Sequence, residues 1–202
     1  TDGGLSSNEG LATIAVNAIN DTPVIGIIDE QTINEDESLT LELSATDVDL
    51  DGLTFTAESL DSDALISVDG TSLTVTPLAD YNGSFTVDVS VTDGNISVST
   101  SFSVTVSPVN DVPVLADLLD DAIDEDGVYA LSLSATDVDG DELTYFAQVD
   151  GNGSAFVDGS SLTVTPDADY NGNILVSITV SDDQASDSGS FILTVNAVND
   201  AP

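Results

Sequence analysis

The string Asn20-Asp21-Thr22-Pro23 returns as Asn110-Asp111-Val112-Pro113 and again as Asn199-Asp200-Ala201-Pro202, 90 and then 89 residues apart. A fixed period of this kind is the mark of a tandem array, in which one folding unit is copied along the chain. Longer strings keep the same period. Ser44-Ala45-Thr46-Asp47-Val48-Asp49 recurs as Ser134-Ala135-Thr136-Asp137-Val138-Asp139, and Asp80-Tyr81-Asn82-Gly83 recurs as Asp169-Tyr170-Asn171-Gly172. The duplication predicts two full repeats, 20–109 and 110–198, with 199–202 opening the next linker. Residues 1–19 align with the segments 92–109 and 181–198, which predicts that they are the last strand of a preceding, truncated repeat, cut off from its own core.

Within each repeat apolar residues alternate with polar ones, as in Leu39, Leu41, Leu43, Ala45 and in Phe85, Val87, Val89, Val91. Period two is the signature of strands with one buried face, and no segment carries helical spacing. Gly, Asn and Asp clusters punctuate the runs and predict strands at 24–33, 38–46, 53–58, 64–68, 72–76, 84–92 and 96–106, with the same set one period later. Seven short alternating strands in a unit of this size indicate an all-β fold of two tandem seven-stranded β-sandwiches. Tyr81 and Tyr170 are placed at the corner where the sixth strand starts.

The chain carries 38 acids, 30 Asp and 8 Glu, and no Lys, Arg, His or Cys. Nucleic acid is excluded as a partner, because binding it requires cations to neutralise phosphates, and an anionic membrane surface would repel the chain. No run is apolar enough to insert into a bilayer. Acid–base and nucleophilic catalysis lose their usual residues, so an enzyme is not expected. Short carboxylates in D-x-D runs instead suit hard, oxygen-seeking cations such as Ca²⁺.

The motifs Asn34-Glu35-Asp36, Asp47-Val48-Asp49, Asp80-Tyr81-Asn82, Thr92-Asp93-Gly94 and Asn-Asp-x-Pro, all repeated in order, resemble the tandem cadherin-like repeats of large secreted bacterial adhesins of the RTX type. The resemblance implies cadherin-like (Ig-like Greek-key) topology for both sandwiches, an extracellular, cell-surface setting and Ca²⁺ ions that bridge consecutive repeats, making the array a stiff monomeric rod that extends an adhesin. Carried over by motif, it implies that the central junction uses Glu35, Asp80 and Asn82 from the first repeat. Asn110 (through its carbonyl), Asp111, Asp137, Asp139 and Asp182 would come from the linker and the second repeat. Asp21, Asp47, Asp49 and Asp93 form the equivalent upstream half-site, and Glu125, Asp169, Asn171, Asn199 and Asp200 the downstream one; both are expected to be incompletely liganded. Two positions depart from the family pattern: Pro108 and Ala197 stand where an Asp is usual before the linker Asn, and Asn82 and Asn171 replace a usual Glu.

Asp47-Val48-Asp49-Leu50-Asp51-Gly52 with Glu58 also satisfies the EF-hand pattern. Its flanks alternate as strands, however, and Glu142 and Gln148 break the pattern in the second repeat. Asp51 and Asp141 remain as candidates for a further ligand, either at the junction or in a small local site. Acids outside the repeat register, such as Asp61, Asp63, Asp117, Asp120, Asp121 and Asp187, fit a solvated coat. The competing reading is a carbohydrate-binding or homophilic cell–cell adhesion surface, weakened by the absence of Trp and by aromatic residues that fall mostly in core register.

Overall fold

The computed structural model describes residues 14–17, 19–59 and 61–199. The described chain is all-β and divides into two compact units between Pro108 and Val109. Each unit repeats the same plan. In the first, β1 (Val24–Ile25) pairs antiparallel with β4 (Ala45–Thr46). β2 (Gln31–Asn34), β9 (Ser97–Ser107), β8 (Gly83–Thr92) and β5 (Thr54–Ser59) form one sheet in that order. β3 (Leu39–Glu42), β7 (Ser72–Pro77) and β6 (Ala64–Asp69) form the facing sheet. β10 (Val114–Leu115) to β18 (Ser186–Asn196) reproduce this arrangement, with β11 (Asp121–Asp124), β18, β17 (Gly172–Ser181) and β14 (Thr144–Val149) against β12 (Tyr129–Ser132), β16 (Ser161–Pro166) and β15 (Gly153–Asp158).

Two of the seven expected strands are broken. The run 24–33 is interrupted after Ile25, where the Gly26 amide donates to the Ser44 carbonyl at 2.7 Å, and resumes as β2, which leaves β4 and lies parallel to β9. A side chain at Gly26 would collide with the Ser44 hydroxyl. The run 38–46 is likewise split, because β3 pairs with β7 while β4 pairs with β1. Changing sheets part-way along a strand ties both edges of the sandwich together, so the break is part of the closure of the fold.

The alternation places the core as expected. Phe85, Val87, Val89, Val91, Leu73, Val75, Phe102, Val104 and Val106 are buried in the first unit; Leu162, Val164, Ile174, Val176, Ile178, Phe191, Leu193 and Val195 are buried in the second. Each such side chain contributes about 1.5–3 kcal/mol relative to exposure, and each unit has its own cluster. The tyrosine corner is present twice: Tyr81 Oη donates to the Ser84 carbonyl at 3.4 Å and Tyr170 Oη to the Asn173 carbonyl at 2.9 Å. Gly83 and Gly172 follow with φ of 142° and 144°, and a Cβ at either would press on the tyrosine hydroxyl. Of the segment aligned with a preceding repeat, Ile14 and Val16 lie in no strand and are exposed, and residues 1–13 and 18 lie outside the described residues.

Candidate metal sites at the ends of each repeat

In the first unit the turn from β4 to β5, the β8–β9 hairpin and the segment before β1 meet at one end. Asp47 Oδ1 accepts the Asp49 amide at 2.8 Å and lies 3.4 Å from the Asp51 amide, so the D-x-D-x-D run wraps around its first carboxylate. Asp49 Oδ2 then accepts the Asp21 amide at 2.7 Å, which fastens the linker. Asp93 is nearly buried; its Oδ1 accepts the Asn95 and Ile96 amides, both at 2.7 Å, and its Oδ2 accepts Asn20 Nδ2 at 2.8 Å. These donors, the Ile96 amide foremost and then the Asn20 side chain, hold its carboxyl below the usual Asp range.

The second unit builds the same arrangement. Asp139 Oδ2 accepts the Asp111 amide at 2.8 Å and Asp137 Oδ1 the Asp141 amide at 3.1 Å. Asp182, also buried, accepts the Gln184 and Ala185 amides at 2.7 and 2.6 Å and Asn110 Nδ2 at 2.9 Å. The Ala185 amide foremost, followed by the Asn110 side chain, lowers its carboxyl. Asn110 Nδ2 also donates to the Asp111 carbonyl at 2.7 Å. The Asn of the linker thus has a structural task besides any use of its carbonyl: its side chain bolts the linker to the β17–β18 turn.

The remaining expected ligands lie at the other end of each sandwich. β2 runs parallel to β9 with Asn34 opposite Ser107, so Glu35 and the turn that carries Asp80 and Asn82 sit where β9 finishes. β8 has ten residues, which at 3.3–3.4 Å per residue separates the two ends by roughly 30 Å. Glu35 and Glu125 are 4% and 9% exposed, unusual values for glutamates, and their amides donate to the Ser107 and Asn196 carbonyls. Glu125 Oε1 also accepts the Val198 amide. Asp80 and Asp169 adopt φ of 57° and 55°, a left-handed conformation that Asp tolerates. Their amides point at Asp36 Oδ1 (3.2 Å) and Asp126 Oδ1 (3.5 Å). Asn82 and Asn171 are exposed in the same turns. Asp36 and Asp126 were not among the expected ligands, although their place directly after the recurring Glu is a signal the repeat register contained. Asp200 lies outside the described residues.

Within single units, Asp47, Asp49 and Asp51, and again Asp137, Asp139 and Asp141, each offer a carboxylate oxygen within 4.8 Å of the others. Desolvation, and then the charges of Asp137, Asp139 and Asp182, raise the carboxyl of Asp141 above its usual range. Asp47 Oδ2 and Asp137 Oδ2 are buried atoms without a hydrogen-bond partner. A buried, unpartnered carboxylate oxygen is costly in a chain without cations, and the donor set of hard carboxylate oxygens fits Ca²⁺. The EF-hand alternative fails on its flanks, since the run lies between β4 and β5 and no helix occurs among the described residues.

The model of the bacterial Ig domain family matches residues 20–107 and 110–195. The chain belongs to the bacterial Ig domain family. Over 129 residues it is 28% identical to chitinase A of Pseudoalteromonas piscicida, an alignment covering 62% of this chain and 16% of the chitinase. The chain therefore spans only a small part of that curated relative. Among solved structures it is similar to human protocadherin-24 EC1-2 (TM-score 0.59, 19% identity, 89% of this chain and 100% of that one). It is also similar to Drosophila N-cadherin EC1-4 (TM-score 0.54, 17% identity, 89% and 50%). At these identities the likeness establishes the tandem Ig/cadherin-like fold.

Proposed function

We propose that this pair of bacterial Ig domains is a calcium-rigidified, non-catalytic extender segment of a secreted or cell-surface protein of the adhesin type. The observation that carries this reading is the orphaned, buried Oδ2 of Asp47 and of Asp137, formed independently in both repeats at the head of a D-x-D-x-D run. Asp111, Asp137, Asp139 and Asp182 would supply one half of a bridging site, and Glu35, Asp80 and Asn82, with Asp36 beside them, the other half. Calcium would supply the positive charge this chain lacks, with each ion taking six to eight oxygens. Asn110 and Asp182 hold the linker in place, and Asp80 stands directly before the tyrosine of the corner. The fold likeness to cadherin pairs and the sequence likeness to part of a chitinase support an extracellular spacer.

A ligand bound only by the folded state stabilises it by about 2.7 kcal/mol at a hundred times its dissociation constant. The expected result of adding EDTA is a clearly lower melting temperature and a shorter maximum dimension in solution scattering. Unchanged melting and scattering profiles would sink the proposal.

A further inference from the structure

The outward positions of β14, β17 and β18 form an uncharged face. Side chains alternate along these strands, so Tyr145, Ala147, Val176, Ile178 and Phe191 point inward, while Thr144, Phe146, Gln148, Ser177, Thr179, Ser188 and Ser190 point outward. None of the outward positions on the three strands holds a carboxylate, although 38 of the chain's 202 residues are acids. At the edge of this neutral field Phe146 is 60% exposed. Its ring borders a shallow hollow of about 150 Å³ lined also by Ala147, Gln148, Ser177 and Thr179.

Strand register arranges the face in rows. Phe146 is opposite Thr179, and Thr179 opposite Ser188; Gln148 is opposite Ser177, and Ser177 opposite Ser190. Neighbouring strands lie about 4.8 Å apart, so each row offers a new side chain at close to the repeat of an extended sugar chain. The first repeat has no such face. Its rows read Thr56, Ser90, Ser99 and Glu58, Asp88, Ser101, with no aromatic ring and with two carboxylates directly opposite one another.

We infer that the outer face of β14–β17–β18 binds a neutral oligosaccharide laid across the strands, with one pyranose ring stacked on Phe146. The negative face of an aromatic ring attracts weakly positive C–H groups, and a pyranose presents such a C–H face. The hydroxyls of Thr179, Ser188, Ser177 and Ser190 and the amide of Gln148 both donate and accept hydrogen bonds, as sugar hydroxyls require. Charge decides against two other occupants. An acidic polysaccharide would meet no cationic side chain anywhere in the chain, and a second copy would bring another 38 negative charges.

The test is a titration of the calcium-loaded 202-residue chain with cellohexaose, fully N-acetylated chitohexaose and mannohexaose, followed by calorimetry and by amide NMR signals. At least one of the three is expected to bind at millimolar concentration or better, shifting the signals of Ser177, Thr179, Ser188 and Ser190 and leaving Ser90 and Ser99 unmoved. Phe146→Ala should weaken binding at least about tenfold, Phe146→Trp should preserve or strengthen it, and neither should change the melting temperature appreciably. Absence of binding to all three sugars, binding that survives Phe146→Ala, shifts that move to the first repeat, or concentration-dependent self-association abolished by Phe146→Ala would each overturn the inference.

Discussion

Replacing Gly172 by Ala perturbs the fold and the candidate ligand turn at one point. Gly172 has φ of 144°, outside the range an L-residue adopts readily, and an added Cβ would stand 2.7 Å from Tyr170 Oη. A residue forced into such a region costs about 1–3 kcal/mol. Displacing the tyrosine breaks its 2.9 Å bond to the Asn173 carbonyl, worth about 0.5–1.5 kcal/mol. Together these give roughly 2–4 kcal/mol, which for a domain of 60–100 residues lowers the melting temperature by roughly 10–25 °C. Gly159→Ala is the control: φ there is also positive, at 58°, but nothing lies within 4 Å of the added carbon, so only the backbone cost of about 1–2 kcal/mol applies. Calorimetry in EDTA reads both values without any contribution from metal. A fall of less than about 3 °C for Gly172→Ala, or a fall no larger than that of Gly159→Ala, would refute the claim that the tyrosine corner locks the Asp169–Asn171 turn.

Other consequences follow from the same structure. Asp141→Asn should raise the melting temperature in EDTA, because it removes a carboxylate crowded by Asp137, Asp139 and Asp182, and should reduce the gain on adding calcium; equal shifts in both conditions would contradict this. Asp93 and Asp182 are held below the ordinary Asp range. The stability they contribute is therefore fully present above about pH 4 and is lost as pH falls through their lowered folded values. In acid titrations without metal, Asp93→Asn and Asp182→Asn should flatten that loss, whereas an unchanged acid limb would count against the turn bonds. Leu162 is fully buried, so Leu162→Ala should cost about 2.7–5 kcal/mol in the second unit, seen as early exchange of its amides while those of the first unit remain protected.

Strands were legible because their inward residues are nearly all Val, Leu, Ile or Phe, and Phe85 to Val91 shows the alternation without interruption. Alternation reports which way a side chain points but not which strand lies beside it. For that reason the run 24–33 read as one strand, when Ile25 pairs with Ala45 and Gln31 with Val104 in a different sheet. The candidate ligands stand out in the sequence through their period, and the structure places those it describes towards two ends of each unit. Asp36 and Asp126 were missed because the motif naming their neighbour Glu did not assign them a role, and only the turn geometry shows Asp80 and Asp169 leaning on them. The side-chain task of Asn110 was equally invisible, since reaching Asp182 is a contact across 72 residues. Phe146 was overlooked for the opposite reason. In a chain where most aromatics face the core, an outward ring such as Phe146, or Phe156 on β15, is seen only once the strand register is known.

The central claim is that calcium bridges consecutive repeats and is not merely held by each repeat alone. Each unit has its own hydrophobic core, so the two can be prepared separately, as residues 20–109 and 110–198, and compared with the intact chain by calcium titration calorimetry. Bridging predicts that the intact chain binds more tight calcium ions than its two halves together, and that this excess disappears in Glu35→Gln. Equal stoichiometry for the intact chain and the summed halves would contradict it.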